Sequence, residues 1–161
     1  MVFRGFGAAD AAQTARRLRA ATAARGGLLL IGADAVLAEA VGADGVHLPE
    51  RLAGEARRIK AARPDWRVTA AIHGPGAGLE LNGIDALIAS PVFPTASVSA
   101  RPLLGLEGLA AVTARGLPTY ALGGITAQTA GLLAHSGVCG LAAVAAVQEA
   151  FNPSLDGTVT R

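Results

Sequence analysis

Short apolar runs alternate with longer stretches of helical period along the whole of this chain. Residues 2–4, 28–32, 45–48, 67–73, 84–90, 118–124 and the run opening at Cys139 read as strands. Residues 8–25, 33–42, 51–63, 105–115 and 126–137 place apolar positions three and four apart, as helices do. Local signals set the boundaries. Asp10 and Thr126 stand as N-caps, Gly26-Gly27 and Gly42 close two helices, and Pro64 ends a third. Between residues 73 and 84 only a short Gly-rich connection, "GPGAGLELNG", is expected.

The alternation predicts a parallel sheet with right-handed crossovers. Runs such as "LLLIG" and "ALIAS" are apolar on both faces, as strands covered on both sides must be. An open doubly wound sheet and a (β/α) barrel both satisfy this pattern. A barrel has eight strands and usually about 250 residues, whereas the 161 residues here hold seven strand units. Seven units look like a TIM-type barrel missing one, and any missing strand is at the N-terminus, because no helix precedes the run at residue 2. Two unpaired edges would follow, and a homodimer closing the gap is the expected consequence. A strand encoded upstream of Met1 is the alternative.

Composition narrows the class of protein. The chain is 52% hydrophobic but only 4% aromatic, so its core rests on Ala, Leu and Val. One domain is expected over residues 1–150, with a loose polar tail over 151–161. The net charge of +2 comes from 13 arginines and one lysine spread along the chain, without the aromatic-interleaved stripe of a nucleic-acid binder. No nucleic-acid partner is expected. No apolar run reaches the roughly 20 residues of a membrane span, and Arg4 and Asp10 interrupt the N-terminus before any leader-like segment. The single cysteine, Cys139, sits in an apolar context and reads as a buried, inert thiol. Without an intrachain disulfide, a cytoplasmic location fits.

Chemistry is expected where the strands end. Gly123 and Gly124 in "LGGIT", with the small-residue turn at Val144 and Ala145, can bind an anion through backbone N–H groups. Phosphate sites in barrels commonly follow the seventh and eighth strands. His47, His73, Glu50 and Asp34 are the candidate acid–base groups, with His73 at a strand end and His47 read as a core histidine. His135 is placed mid-helix, outside the barrel. Ser90, Thr95 and Ser97 lack a nucleophile elbow, and no metal-ligand spacing of Cys and His occurs.

The segments "GADGVHLPE", "SPVFPTAS…PLLGLEGLAAV" and "LPTYALGGIT…SGVCGLAAVAAV" carry a resemblance to thiamine phosphate synthase and its relative, the thiazole tautomerase, over residues 2 to about 148. The resemblance implies a (β/α)8 barrel, which decides between open sheet and barrel, and implies that this chain lacks the family's first strand. It also implies a magnesium-dependent joining of a pyrimidine pyrophosphate to a thiazole phosphate. Several family positions differ here. Of an "RxK" strand, Arg4 is kept and the lysine is Phe6; an Asn-Asp pair becomes Gly32 and Ala33; a metal-binding Asp becomes Leu52. A serine becomes Ala71, and in "GPVFPTPTK" Thr95 is kept, Ser97 replaces threonine and Val98 replaces lysine. Gly123, Gly124, Val144 and Ala145 keep the phosphate cradle in backbone terms, with Ala145 replacing a serine. The tautomerase histidine position holds Pro91.

These differences imply no resident cofactor and a lost magnesium site. They lead to a binding protein for a small phosphorylated ligand, a thiazole or thiamine phosphate, with Arg4 and His73 as catalytic candidates and coupling impaired. Thr95, Ser97, Gly123, Gly124, Val144 and Ala145 would contact that ligand. An active synthase and a ligand-free structural remnant are the alternatives.

Overall fold

The computed structural model describes residues 1–5, 7–75, 78–95 and 101–147. Its strands are β1 (Val2–Phe3), β2 (Leu30–Gly32), β3 (Gly45–Leu48), β4 (Arg67–Ile72), β5 (Ala86–Ala89), β6 (Thr119–Leu122) and β7 (Gly140–Ala142). All pair in parallel and in chain order, giving a curled half-barrel. Among the described residues, β1 pairs only with β2 and β7 only with β6.

The helices are α1 (Ala11–Ala23), α2 (Ala35–Ala40), α3 (Ala56–Ala62), α4 (Gly105–Thr113) and α5 (Ala127–Ala130). The core lies between them and one face of the sheet. Ile31, Val46, Val68, Ile72, Leu87 and Ala121 are fully buried in one cluster with Ala15 of α1, Ala38 of α2, Ala56 of α3 and Leu109 of α4. Small helix residues let the helices lie close to the aliphatic strands, and the packing is dense without aromatics. The other sheet face carries Gly32, His47, Ala71, Ile88 and Leu122, which line a cavity instead of a core. Period-two alternation thus divides each strand between packing and chemistry.

The end of the sheet opposite the cavity is tied together by a repeated device. Asp44, just before β3, donates its N–H to the Leu29 carbonyl and accepts from the Leu29 N–H at 2.8 Å. Asp85, just before β5, does the same with Val68, accepting its N–H at 2.7 Å. Each carboxylate also meets a cation, Arg19 at 3.1 Å for Asp44 and Lys60 at 3.0 Å for Asp85. Charge-assisted bonds of this kind are stronger than neutral ones. They close the starts of neighbouring strands, where the ladder would otherwise leave N–H groups unpaired.

Three local expectations are corrected. The segment 51–63 is a 3₁₀ turn over Glu50–Glu55 that passes into α3, with Gly54, a poor helix former, inside the tighter part. After α5 the chain continues as a 3₁₀ turn, Gly131–Leu133, so the exposed His135 lies in a turn beyond the helix. Cys139 is exposed, not buried, because it stands just before β7, which pairs on one side only among the described residues. It occupies the place that Asp44 and Asp85 take elsewhere: its N–H donates to the Thr119 carbonyl, and its thiol reaches the same oxygen at 3.3 Å.

Candidate active site

The C-terminal ends of the strands surround two adjoining cavities of about 650 and 310 Å3. His73, Ser90, Arg101 and Leu122 line both, so the two spaces form one site with two lobes.

The larger lobe is shaped by backbone. Gly123 and Gly124 follow β6 with φ of +96° and +65°, a region that strongly favours glycine. The loop after β5 packs directly on them. A Cβ on Gly123 would lie 2.8 Å from the Pro91 Cα, and one on Gly124 would overlap the Pro94 carbonyl oxygen. The Phe93 N–H donates to the Gly123 carbonyl at 3.0 Å, and the Thr129 hydroxyl to the Gly124 carbonyl at 2.8 Å. Thr126 and Thr129 complete a capping box at the start of α5. Thr95, Gly123, Gly124, Val144 and Ala145 therefore line the same lobe, together with His73 and Arg101. Ser97 lies outside the described residues, as do Phe6, Val98 and the tail from 148 onward.

The smaller lobe holds Arg4, Gly32, Ala33, His47 and Ala71. The stem of Arg4 crosses Gly32 closely, since a Cβ there would lie 2.7 Å from the Arg4 Cγ. Ala33 adopts φ +58°, left-handed backbone that Asn and Asp enter more readily than alanine. Asp34 turns away to accept the Leu37 N–H at 2.8 Å as the N-cap of α2, which removes it from the acid–base candidates.

The two histidines differ. His47 is half-buried, with its Nδ1 2.9 Å from the Thr69 hydroxyl. Burial, and then the positive charges of Arg4 and His73, lower its pKa to about 4, so it is a neutral imidazole at pH 7. It is hydrogen-bonded, but it stands on the cavity face of β3 and not in the core that its position in "GVHL" predicts. His73 directs Nδ1 at the Ser90 carbonyl, 2.6 Å away. A carbonyl only accepts, so Nδ1 carries the proton, and in the neutral ring Nε2 is the basic atom. The Ser90 hydroxyl lies 3.3 Å from the same Nδ1.

Glu50 links three loops at the rim. One carboxylate oxygen accepts the His73 backbone N–H at 3.3 Å, and the other meets the Arg101 guanidinium at 3.4 Å. Glu50 and Arg101 are 51 residues apart, so nothing local in the sequence announces the contact. Ser90 was equally hard to read, as a serine without a base partner. Its part is to orient His73 through its carbonyl.

The residues do not suit magnesium, which demands several hard oxygen ligands in near-octahedral array. Gly32, Ala33 and Leu52 offer no side-chain oxygen, and Glu50 is engaged by His73 and Arg101. Among the described residues, no three or more His, Cys, Asp or Glu side chains gather where they could hold a metal ion.

A family model described as thiamine monophosphate synthase matches residues 4–147. The chain belongs to the thiamine monophosphate synthase family. A thiamine-phosphate synthase from Methanoculleus marisnigri is 35% identical over 144 residues, covering 86% of this chain and 67% of that protein. One from Laribacter hongkongensis is 35% identical over 136 residues, covering 81% and 64%. The solved thiamine phosphate pyrophosphorylase from Pyrococcus furiosus superposes with a TM-score of 0.74 at 29% identity, covering 89% of this chain and 70% of that one. The chain spans about two thirds of the length of these family members. An aldolase from Desulfitobacterium hafniense, at 15% identity and a TM-score of 0.59, shares the barrel-type fold alone. No helix among the described residues is long and apolar enough to cross a membrane.

Proposed function

We propose that this member of the thiamine phosphate synthase family binds a phosphorylated thiazole or thiamine-type ligand and couples pyrimidine to thiazole poorly or not at all. The observation that carries the reading is the charge of the two-lobed site. Its described lining includes Arg4, Arg101, His47 and His73 and no carboxylate. Such a lining suits an anion and gives a divalent cation nothing to hold. The phosphate would rest on the turn at Gly123 and Gly124, with Thr95, Val144 and Ala145 around it. Arg4 and His73 would face the remainder of the ligand. Expelling pyrophosphate requires several kcal/mol of charge neutralisation, which the family positions Gly32, Ala33 and Leu52 do not supply.

Calorimetric titration with thiazole phosphate and thiamine phosphate tests the binding reading. Neither heat nor a thermal shift with either compound would overturn it. The second reading, a working synthase, is favoured by the named activity of relatives at 35% identity. An assay with both substrates and magnesium separates the two. Thiamine phosphate formed above a no-protein control would establish the second reading.

A further inference from the structure

We propose that Arg101 is a switchable anion anchor, held by Glu50 when the site is empty and released to a ligand's phosphoryl group on binding. The inference rests on the reading of the site as a phosphate-binding one. Arg101 stands at the junction of the lobes, lining both. Of the two guanidinium groups in the described lining, it is the one that reaches the lobe containing Gly123 and Gly124. Glu50 lies behind it, contributing to neither lining.

The pair is built to part easily. Its separation is 3.4 Å, and the side chains are 54% and 32% exposed. Ion pairs this open to water contribute little and are screened by salt. A phosphoryl group offers Arg101 a more highly charged partner that it can meet with two parallel bonds. Glu50 does not lose its place when Arg101 leaves, because its other oxygen stays on the His73 N–H. Glu50 thus has two effects of opposite sense. It positions the guanidinium, and it competes with the anion for it.

That competition gives the test its signature. The probe is inorganic pyrophosphate, titrated by calorimetry into the wild-type chain in EDTA at low salt. Arg101→Gln is expected to weaken binding about tenfold, the loss of one charge-assisted contact. Arg101→Lys should recover part of that loss, since the charge remains and the paired geometry does not. Glu50→Gln keeps an oxygen for the His73 N–H and removes only the competing charge. It should tighten binding about threefold. Melting temperatures within a degree or two of wild type would confirm that each variant is folded, and added salt should shrink the Glu50→Gln gain.

An Arg101→Gln variant that binds as well as wild type overturns the anchor and leaves the phosphate-site reading standing. A Glu50→Gln variant that binds more weakly makes Glu50 a support and overturns the switch. A wild-type chain that takes up no pyrophosphate overturns the anchor. If thiamine phosphate and thiazole phosphate also fail, the phosphate-site reading falls with it.

Discussion

The two ends of the sheet are built on different principles. At the end away from the site, Asp44 and Asp85 each clasp the start of the preceding strand through a carbonyl, an N–H and a nearby cation. At the site end, one half is backbone packed on backbone around Gly123 and Gly124. The other half rests on side chains, with Arg4 and His47 beside the small positions Gly32, Ala33 and Ala71. Carboxylates clasp strands at one end, while the described lining of the site at the other holds none. The two ends therefore hold the strands by different means, ion-paired carboxylates at one and close backbone packing at the other.

The largest expected effect tests the backbone half. Gly124→Ala would place a methyl group against the Pro94 carbonyl oxygen and the Phe93 backbone, at left-handed φ. Left-handed backbone and overpacking together predict a loss of about 3 kcal/mol in urea unfolding. Gly131→Ala, where a Cβ would meet nothing within 4 Å and φ is −60°, is the control and should leave stability unchanged within about 0.5 kcal/mol. A Gly124→Ala loss as small as the control's would mean that the loop after β5 yields, and that the glycines are not needed for packing.

The second effect concerns the side-chain half. His47 has a folded pKa of about 4 against an ordinary value of 6.5. Between those values the unfolded chain binds more protons than the folded one, so stability falls as pH is lowered from 6.5 towards 4. Integrated across that window, the loss is roughly 3 kcal/mol. His47→Gln should flatten this part of the stability profile. An unchanged slope would assign the acid sensitivity to other groups.

Third comes the opposite end of the sheet. Asp85→Ala strands the Val68 N–H and removes the carboxylate that pairs with Lys60, for an expected loss of roughly 2 kcal/mol. Asp85→Asn keeps an oxygen for Val68 and loses only the charge, so its loss should be smaller. Equal losses would show that the ion pair, not the backbone bond, holds the strands.

These cases also show what could be read without coordinates. The strands are legible because each is a short aliphatic run bounded by Gly or Pro, and the sheet order follows from their alternation with helices. The turn at Gly123 and Gly124 is legible for a related reason: a Gly-Gly pair after a strand constrains backbone, which is local. Contacts between loops are not. Glu50 with Arg101, and His73 with Ser90, join segments that meet only after the sheet curls. Cys139 was misread because an apolar neighbourhood in sequence does not say that its strand is an edge. "GADGVHL" was informative about family but uninformative about Asp44, whose role depends on Leu29 fifteen residues earlier.

The smallest effect extends the comparison to β7. Residue 139 stands to Thr119 as Asp44 stands to Leu29 and Asp85 to Val68, since in each case its N–H donates to that residue's carbonyl. A thiol cannot match a carboxylate as an acceptor for the adjacent strand's N–H. Cys139→Asp should therefore add the missing bond to the Thr119 N–H and stabilise the chain by about 1 kcal/mol. The nearby Tyr120 phenol supplies an independent readout. Cys139 already raises its pKa, and a carboxylate in the same place should keep it raised through the same repulsion between negative charges. Stabilisation that also appears in Cys139→Ser would trace to removal of the exposed thiol. Stabilisation confined to aspartate would mean that the edge strand accepts the same clasp as the interior ones.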